Sequence, residues 1–350
     1  MPDLETSLSY CTYCPKLCRH ACPVSSATAL ETLVPQNKMM VMRHLAVEPV
    51  EDATALYGCT GCGACTEACV HGIDVAGALF SGRRDLEERG RGDAALRDLP
   101  VEFAKSSQAL ARQVREVVPL LKRPAEAQVA FFPGCAGAKS ATAMLTLAQR
   151  IGAGYLAVAD LSHGCAGYPL YAAGRFSEFA VHAHQLARDL EGFGRVVVHC
   201  PACAYVMKHE YASFGVKLHP TVEHTVEFLE SFAERLPITQ PRRSAFYHDP
   251  CYLGRQLGLH QAPRRLASRA VQTLHEFSRA RSESECCGGG GLMPKTMPEA
   301  AKAMAEERLR EVKQAACDLI VTASSMCQSQ LARDGVAVVD LIDLLVAATA

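Results

Sequence analysis

The sequence predicts an α+β multidomain protein: an α-helical N-terminal unit strung with cysteines, followed by two tandem α/β cysteine-rich repeats. Three observations carry that expectation. Eight of the 17 cysteines fall into two tight strings before residue 70. From Gln128 onward short β-prone runs alternate with helical patterns, as in a parallel sheet covered by helices. The alternation is traversed twice with a period of about 120 residues, which implies an internal duplication.

At 350 residues and 49% hydrophobic content, the chain has material for two or three cored domains and is not disordered. A formal net charge of -1 leaves no electrostatic footprint for nucleic acid or an anionic membrane, so neither is an expected partner. The first ten residues lack a charged stretch leading into an apolar one, so a cytoplasmic location with reduced cysteines is expected. Clustered thiols there serve metals or redox chemistry more often than disulfides. The apolar run from Val336 to Ala350 is interrupted by Asp340 and Asp343 and is too short to span a bilayer. Any peripheral attachment at the inner face of the membrane would therefore come through a partner.

The first string is Cys11, Cys14, Cys18 and Cys22, followed by Pro23; the second is Cys59, Cys62, Cys65 and Cys69. Gaps of two, two and three residues in the second are those of a bacterial ferredoxin motif, whose fourth cysteine ligates the neighbouring cluster. Crossed ligation assigns Cys11, Cys14, Cys18 and Cys69 to one [4Fe-4S] cluster and Cys59, Cys62, Cys65 and Cys22 to the other. The first string departs by having three residues between Cys14 and Cys18, and Val70 stands where a proline usually follows. Two structural four-cysteine zinc sites are the competing reading. The 36 residues between the strings include a helix-compatible run from Gln36 to Val47, more than a compact ferredoxin has. That insertion resembles the helical ferredoxin domains of multi-subunit dehydrogenases and reductases.

The charged stretch from Gly82 to Asp98 reads as an exposed connection, part helical, and Val101 to Leu121 carries apolar residues at helical spacing before Pro124. The expected organisation is a helical two-cluster ferredoxin-like domain at 1–82, a linker and helix at 83–125, and repeats at 126–240 and 241–350. In the first repeat Val129 to Phe132, Val196 to His199 and Val216 to His219 read as strands, with helices over Lys139 to Arg150 and Val222 to Phe232. In the second, Ala245 to His248, Leu319 to Thr322 and Val336 to Val339 are their counterparts.

Each repeat offers a cysteine after its first strand, a cysteine-glycine turn, and a cysteine group after a later strand. The first has Cys135, Cys165-Ala166-Gly167, then Cys200 and Cys203; the second has Cys251, Cys286-Cys287-Gly288, then Ser324 and Cys327. Ligands of doubly wound sheets sit beyond the carboxyl ends of strands, so each set of four thiols can converge on one centre. The run from Cys286 to Gly291 puts two adjacent thiols before four glycines, which let backbone N–H groups approach sulfur. His248, Asp249, His163 and His199 flank these cysteines; for each, a strand-end polar role competes with tuning a centre. Cys317 reads as a small buried hydrophobe in the helix before Leu319. The sequence has no GxGxxG or Walker segment, so no flavin or nicotinamide site is expected in this chain.

At these residues the chain resembles the cysteine-rich CCG-domain family, which includes the catalytic subunit of heterodisulfide reductase and the iron-sulfur subunits of glycolate oxidase and anaerobic glycerol-3-phosphate dehydrogenase. A complete family repeat has five cysteines and can hold a non-cubane [4Fe-4S] cluster. Here Ala166 and Ser324 each replace one thiol. The resemblance implies an iron-sulfur electron-transfer subunit fed by a flavoprotein dehydrogenase of the 2-hydroxy acid or glycerol-3-phosphate type. Electrons would leave to a quinone, through a membrane quinone-reactive subunit, or to another acceptor. The alternative it implies, against which the missing thiol in each repeat speaks, is a heterodisulfide-reductase-like thiol-disulfide reductase with Cys251, Cys286, Cys287 and Cys327 as its catalytic set. A third is a zinc-bearing scaffold subunit. The expected cofactors are two N-terminal [4Fe-4S] clusters and, in the repeats, an additional iron-sulfur cluster or zinc.

Overall fold

In a computed structural model, described for residues 3–47, 53–118, 129–239, 244–315, 317, 319–333 and 335–349, the N-terminal unit is entirely helical. Asp3 caps the helix Leu4–Tyr13 by accepting the Thr6 N–H at 2.8 Å, and Asp74 caps Val75–Glu88 by accepting that of Gly77 at 3.0 Å. Between them run Pro23–Thr28 and Pro35–Val47, each opening on a proline suited to a first helical turn. Leu8, Met39, Met42, Leu56, Leu79 and Leu86 form the core of this unit.

Two parallel four-stranded sheets follow. The strands of the first are β1 (Val129–Phe132), β2 (Leu156–Val158), β3 (Arg195–Val198) and β4 (Thr221–His224), in spatial order β2-β1-β3-β4. Those of the second are β5 (Ala245–His248), β6 (Leu274–Glu276), β7 (Leu319–Thr322) and β8 (Ala337–Asp340), in order β6-β5-β7-β8. Identical topology makes the duplication structural. Even the capping repeats: His224 at the end of β4 and Asp340 at the end of β8 each cap the helix that follows. The two repeats share one core, with Val197, Leu229, Tyr247, Leu266, Val321 and Leu345 all in a single apolar cluster.

Several expectations are corrected. Val216 to His219 is not a strand: Gly215 turns the chain at φ +72°, Val216 N–H closes onto Tyr211 O at 3.0 Å, and Pro220 has no N–H to give. The pairing strand is the more polar β4, tolerated because it lies at the sheet edge. Strands β2 and β6, three residues each, carried no signal of their own. Cys317 lies beyond the helix Pro298–Gln314, half-buried, with its thiol directed at Ser244 O and Leu319 O. The helix expected from Val101 spans Leu99–Val117; Leu121, Pro124 and the boundaries at 125/126 and 240/241 lie outside the described residues. The boundary at residue 82 falls inside the continuous helix Val75–Glu88.

The charged stretch holds the largest departure, because Arg83 is fully buried rather than solvated. Its guanidinium donates to Leu56 O (3.0 Å) and Cys59 O (2.9 Å) in the N-terminal unit, to Ala172 O (2.6 Å) in the first repeat and to Gly291 O (3.0 Å) in the second. One side chain thus joins all three units. Arg83→Ala leaves four carbonyls without that donor and is expected to lower stability by about 3 kcal/mol or more. Denaturant unfolding checks it, and a loss below about 1 kcal/mol would mean the units do not depend on this junction.

Candidate metal centres

The thiols of the two N-terminal strings act on one another across the strings. Burial first, then the neighbouring thiols of Cys18, Cys69 and Cys14, push Cys11 up to about 12. Cys65 is raised well above the thiol range by burial, then by Cys62, Cys59, Cys22 and Cys18. Cys69 therefore lies with the first string and Cys22 with the second.

Cations are buried around the second group. Lys38, 2% exposed, points its Nζ at Cys22 Sγ at 3.7 Å. Arg83 faces Cys59, and Arg255 lies beside Cys62, Cys251 and Cys286, one of its terminal nitrogens buried without a partner. Burying ammonium and guanidinium groups next to thiols rather than carboxylates is costly unless the thiol sites carry negative charge. Four thiolates around an iron-sulfur core supply that charge, so the residues at Cys59, Cys62, Cys65 and Cys22 fit a cluster.

The first repeat brings Cys135, Cys165, Cys200 and Cys203 together from β1, the turn after β2 and the end of β3. Contacts with Cys135 and Cys203 hold both Cys165 and Cys200 well below the thiol range. Each thiol meets two others, closing a ring of four. Cys135 is the exposed member; the rest are buried. Ala166 beside Cys165 is fully buried. His163 does not join: its Nδ1 lies 2.8 Å from Ser162 Oγ, and burial holds its ring below the ordinary imidazole range. His199 turns to the second repeat, with Nε2 3.3 Å from Asp340 Oδ2. Burial opposes its charge, but Asp340 outweighs it and holds the ring above the ordinary range.

The second repeat divides. Cys286 touches Cys251, Cys287 and Cys62, and those contacts with Cys251 and Cys62 hold it below the thiol range. Contact with Cys286, then burial, in turn pushes Cys62 well up, with Arg255 opposing. A thiol of the N-terminal unit is thus part of the second repeat's site, which sequence reasoning did not foresee. On the other side Cys287 Sγ lies 3.3 Å from Cys327 Sγ. His248, Cys287 and Cys327 place their ligand atoms within 4.8 Å of one another. Burial, then the Arg308 charge, lowers the His248 ring to about 3, so it is neutral. Asp249 is not at the site; burial raises its carboxyl, but two Arg264 hydrogen bonds of 2.7 Å outweigh that and hold it low.

The glycines contribute in two ways. Gly288 N–H points at Cys286 Sγ at 3.4 Å, the approach expected from the sequence. Gly290 and Gly291 instead admit the N-terminal unit: a Cβ at Gly291, whose φ is +61°, would stand 2.0 Å from Cys59 O, and one at Gly290 would stand 2.4 Å from Thr60 O. The junction is completed by Arg255 Nε donating to Cys62 O at 2.6 Å and by Tyr252 Oη donating to Tyr168 Oη at 2.9 Å, which itself accepts Gly291 N–H. None of Lys38, Arg83, Arg255, Tyr168 or Tyr252 carries a motif; the position of Arg255, one helical turn after Cys251, was the available signal. A cleft of about 280 Å³ lined by Pro23, Ser26, Ala27, Glu285 and Glu307 reaches Cys286.

The cysteine-rich domain family matches residues 129–208 and 245–332, and the 4Fe-4S dicluster domain matches 7–73. One component of the dihydromethanophenazine:CoB--CoM heterodisulfide reductase of Methanosarcina barkeri is 25% identical over 83% of this chain and 77% of its own length. One component of the fumarate reductase (CoM/CoB) of Methanothermobacter marburgensis is 24% identical over 83% of the chain and 60% of its own. The EtfAB:quinone oxidoreductase of Syntrophomonas wolfei is 25% identical over 71% of the chain and 38% of its own. In fold, a hypothetical protein from Helicobacter pylori superposes with a TM-score of 0.52 at 9% identity, covering 100% of this chain and 77% of that one. Among the described residues no helix is long and apolar enough to cross a membrane.

Crossed ligation makes a double-variant prediction. Cys11→Ser with Cys69→Ser should cost one cluster, about four irons, because both thiols serve it, whereas Cys59→Ser with Cys69→Ser should cost about eight. Iron and labile sulfide analysis of anaerobic protein checks this, and equal losses in the two pairs would exclude the crossing.

Proposed function

The chain belongs to the CCG-domain iron-sulfur proteins, a dicluster domain followed by two cysteine-rich repeats, and on that premise we propose that it is the electron-transfer subunit of an oxidoreductase complex. Electrons enter from a flavoprotein dehydrogenase of the 2-hydroxy acid or glycerol-3-phosphate type and leave to a quinone or another acceptor, at a cytoplasmic or membrane-peripheral location. The observation that carries this reading is the contact of Cys62 with Cys286, which puts a ferredoxin-type thiol and a repeat thiol side by side. Clusters at Cys11, Cys14, Cys18, Cys69 and at Cys59, Cys62, Cys65, Cys22 would supply one-electron carriage. A third centre would be held by Cys251, Cys286, Cys287 and Cys327. This chain's own residues exclude water and bring the groups together: Arg83, Arg255 and the Tyr168–Tyr252 pair hold the junction dry, and Lys38 and Arg255 offset added negative charge. The ring of Cys135, Cys165, Cys200 and Cys203 suits one structural ion, for which zinc is the simplest occupant.

The cleft at Cys286 favours one second reading, reduction of a disulfide at the second repeat, in which two electrons and two protons convert the disulfide to two thiols. Glu285 and Glu307 are carboxylates that line it beside Cys286.

Metal analysis of the anaerobic full chain tests the shared premise. The expected result is about twelve irons with labile sulfide, falling by about four in Cys286→Ser. Iron unchanged by that variant would remove the third centre. Turnover of a disulfide by protein reduced with a low-potential dye selects the second reading; reduction of a quinone analogue without it supports the first.

A further inference from the structure

The second repeat lacks one thiol of the family set, and its replacement is engaged elsewhere. Ser324 Oγ accepts the Cys327 N–H at 3.5 Å as the cap of Ser325–Leu331, so it is occupied in folding the helix that presents Cys327. Resting on the reading that this repeat holds a metal centre, we propose that His248 is a ligand of that centre, alongside Cys287 and Cys327, in the place the missing thiolate leaves.

Three observations point there. The ligand atoms of His248, Cys287 and Cys327 lie within 4.8 Å of one another, close enough to share one ion. His248 is fully buried, yet both ring nitrogens lack a hydrogen-bond partner, a state that buried polar groups avoid unless something else satisfies them. The duplication supplies the third. Phe132 and Val198 pair at the ends of β1 and β3, and the matching pair at the ends of β5 and β7 is His248 and Thr322. The first repeat shows that apolar side chains fill this position, so packing does not demand an imidazole. Thr322 Oγ1 is likewise buried and unpartnered. Polar substitution has occurred at the same strand ends in the one repeat that keeps the adjacent cysteine pair.

Imidazole is a competent ligand for iron and for zinc, and substituting it for thiolate raises the potential of an iron-sulfur centre. The test uses the anaerobic full chain grown with [15N]histidine or with natural abundance. Pulsed EPR should resolve a nitrogen coupling of bonded strength that changes with the isotope and disappears in His248→Ala. His248→Cys should keep the metal, lose the nitrogen coupling and titrate at a lower midpoint. If analysis finds zinc instead, zinc-edge X-ray absorption reads the same nitrogen scatterer. A Cys287-dependent metal without a bonded histidine nitrogen would overturn the assignment while leaving the proposed function standing. Metal content indifferent to Cys287→Ser would overturn both. Labelling of the unsubstituted protein needs no variant, so a folding defect in His248→Ala does not protect the idea.

Discussion

A guanidinium buried without a carboxylate is the constraint on which the arrangement depends. Arg83 is held by four backbone carbonyls from three units and packs against the rings of Tyr57 and Phe80. A buried cation satisfied only by carbonyls demands that all of them stay in place, because losing one leaves both charge and dipole unsolvated. The glycines at 290 and 291 meet the complementary requirement, since any side chain there would collide with the backbone of Cys59 and Thr60. Donor and clearance together seat the helical unit against the second repeat. The consequence is the contact of Cys62 with Cys286.

The two repeats show what duplication leaves free to change. Strand order, the helix caps at His224 and Asp340, and the cysteine after the first strand are common to both. The thiols differ: four close on themselves in the first, whereas the second splits its adjacent pair, Cys286 toward the helical unit and Cys287 toward Cys327 and His248. The two thiols of the pair still touch each other, and between them they meet two sets of neighbours, which a lone Cys165 followed by Ala166 cannot do.

Much of this was legible in the sequence for physical reasons. Cysteine spacing announces shared ligation because chain reach limits which thiols meet, and the central strands β1, β3, β5 and β7 stand out as apolar runs. The edge strands β4 and β6 did not stand out, being partly polar and short, so the apolar run at Val216 drew the assignment instead. Arg83 was misread because a charge run on a helix is ordinarily solvated, and only tertiary structure shows which of Arg83 and Arg84 faces inward. The roles of His248 and Asp249 were separable only with coordinates, since adjacent residues at a strand end face opposite ways. One meets the thiols and the other an arginine.

The most direct measurement is the EPR spectrum of the fully reduced, anaerobic full chain beside that of Cys287→Ser. The account predicts spin–spin interaction between the centre at Cys59, Cys62, Cys65 and Cys22 and the centre of the second repeat, collapsing to uncoupled signals when Cys287 is replaced. A wild-type spectrum that is the plain sum of independent clusters, unchanged in the variant, would contradict it.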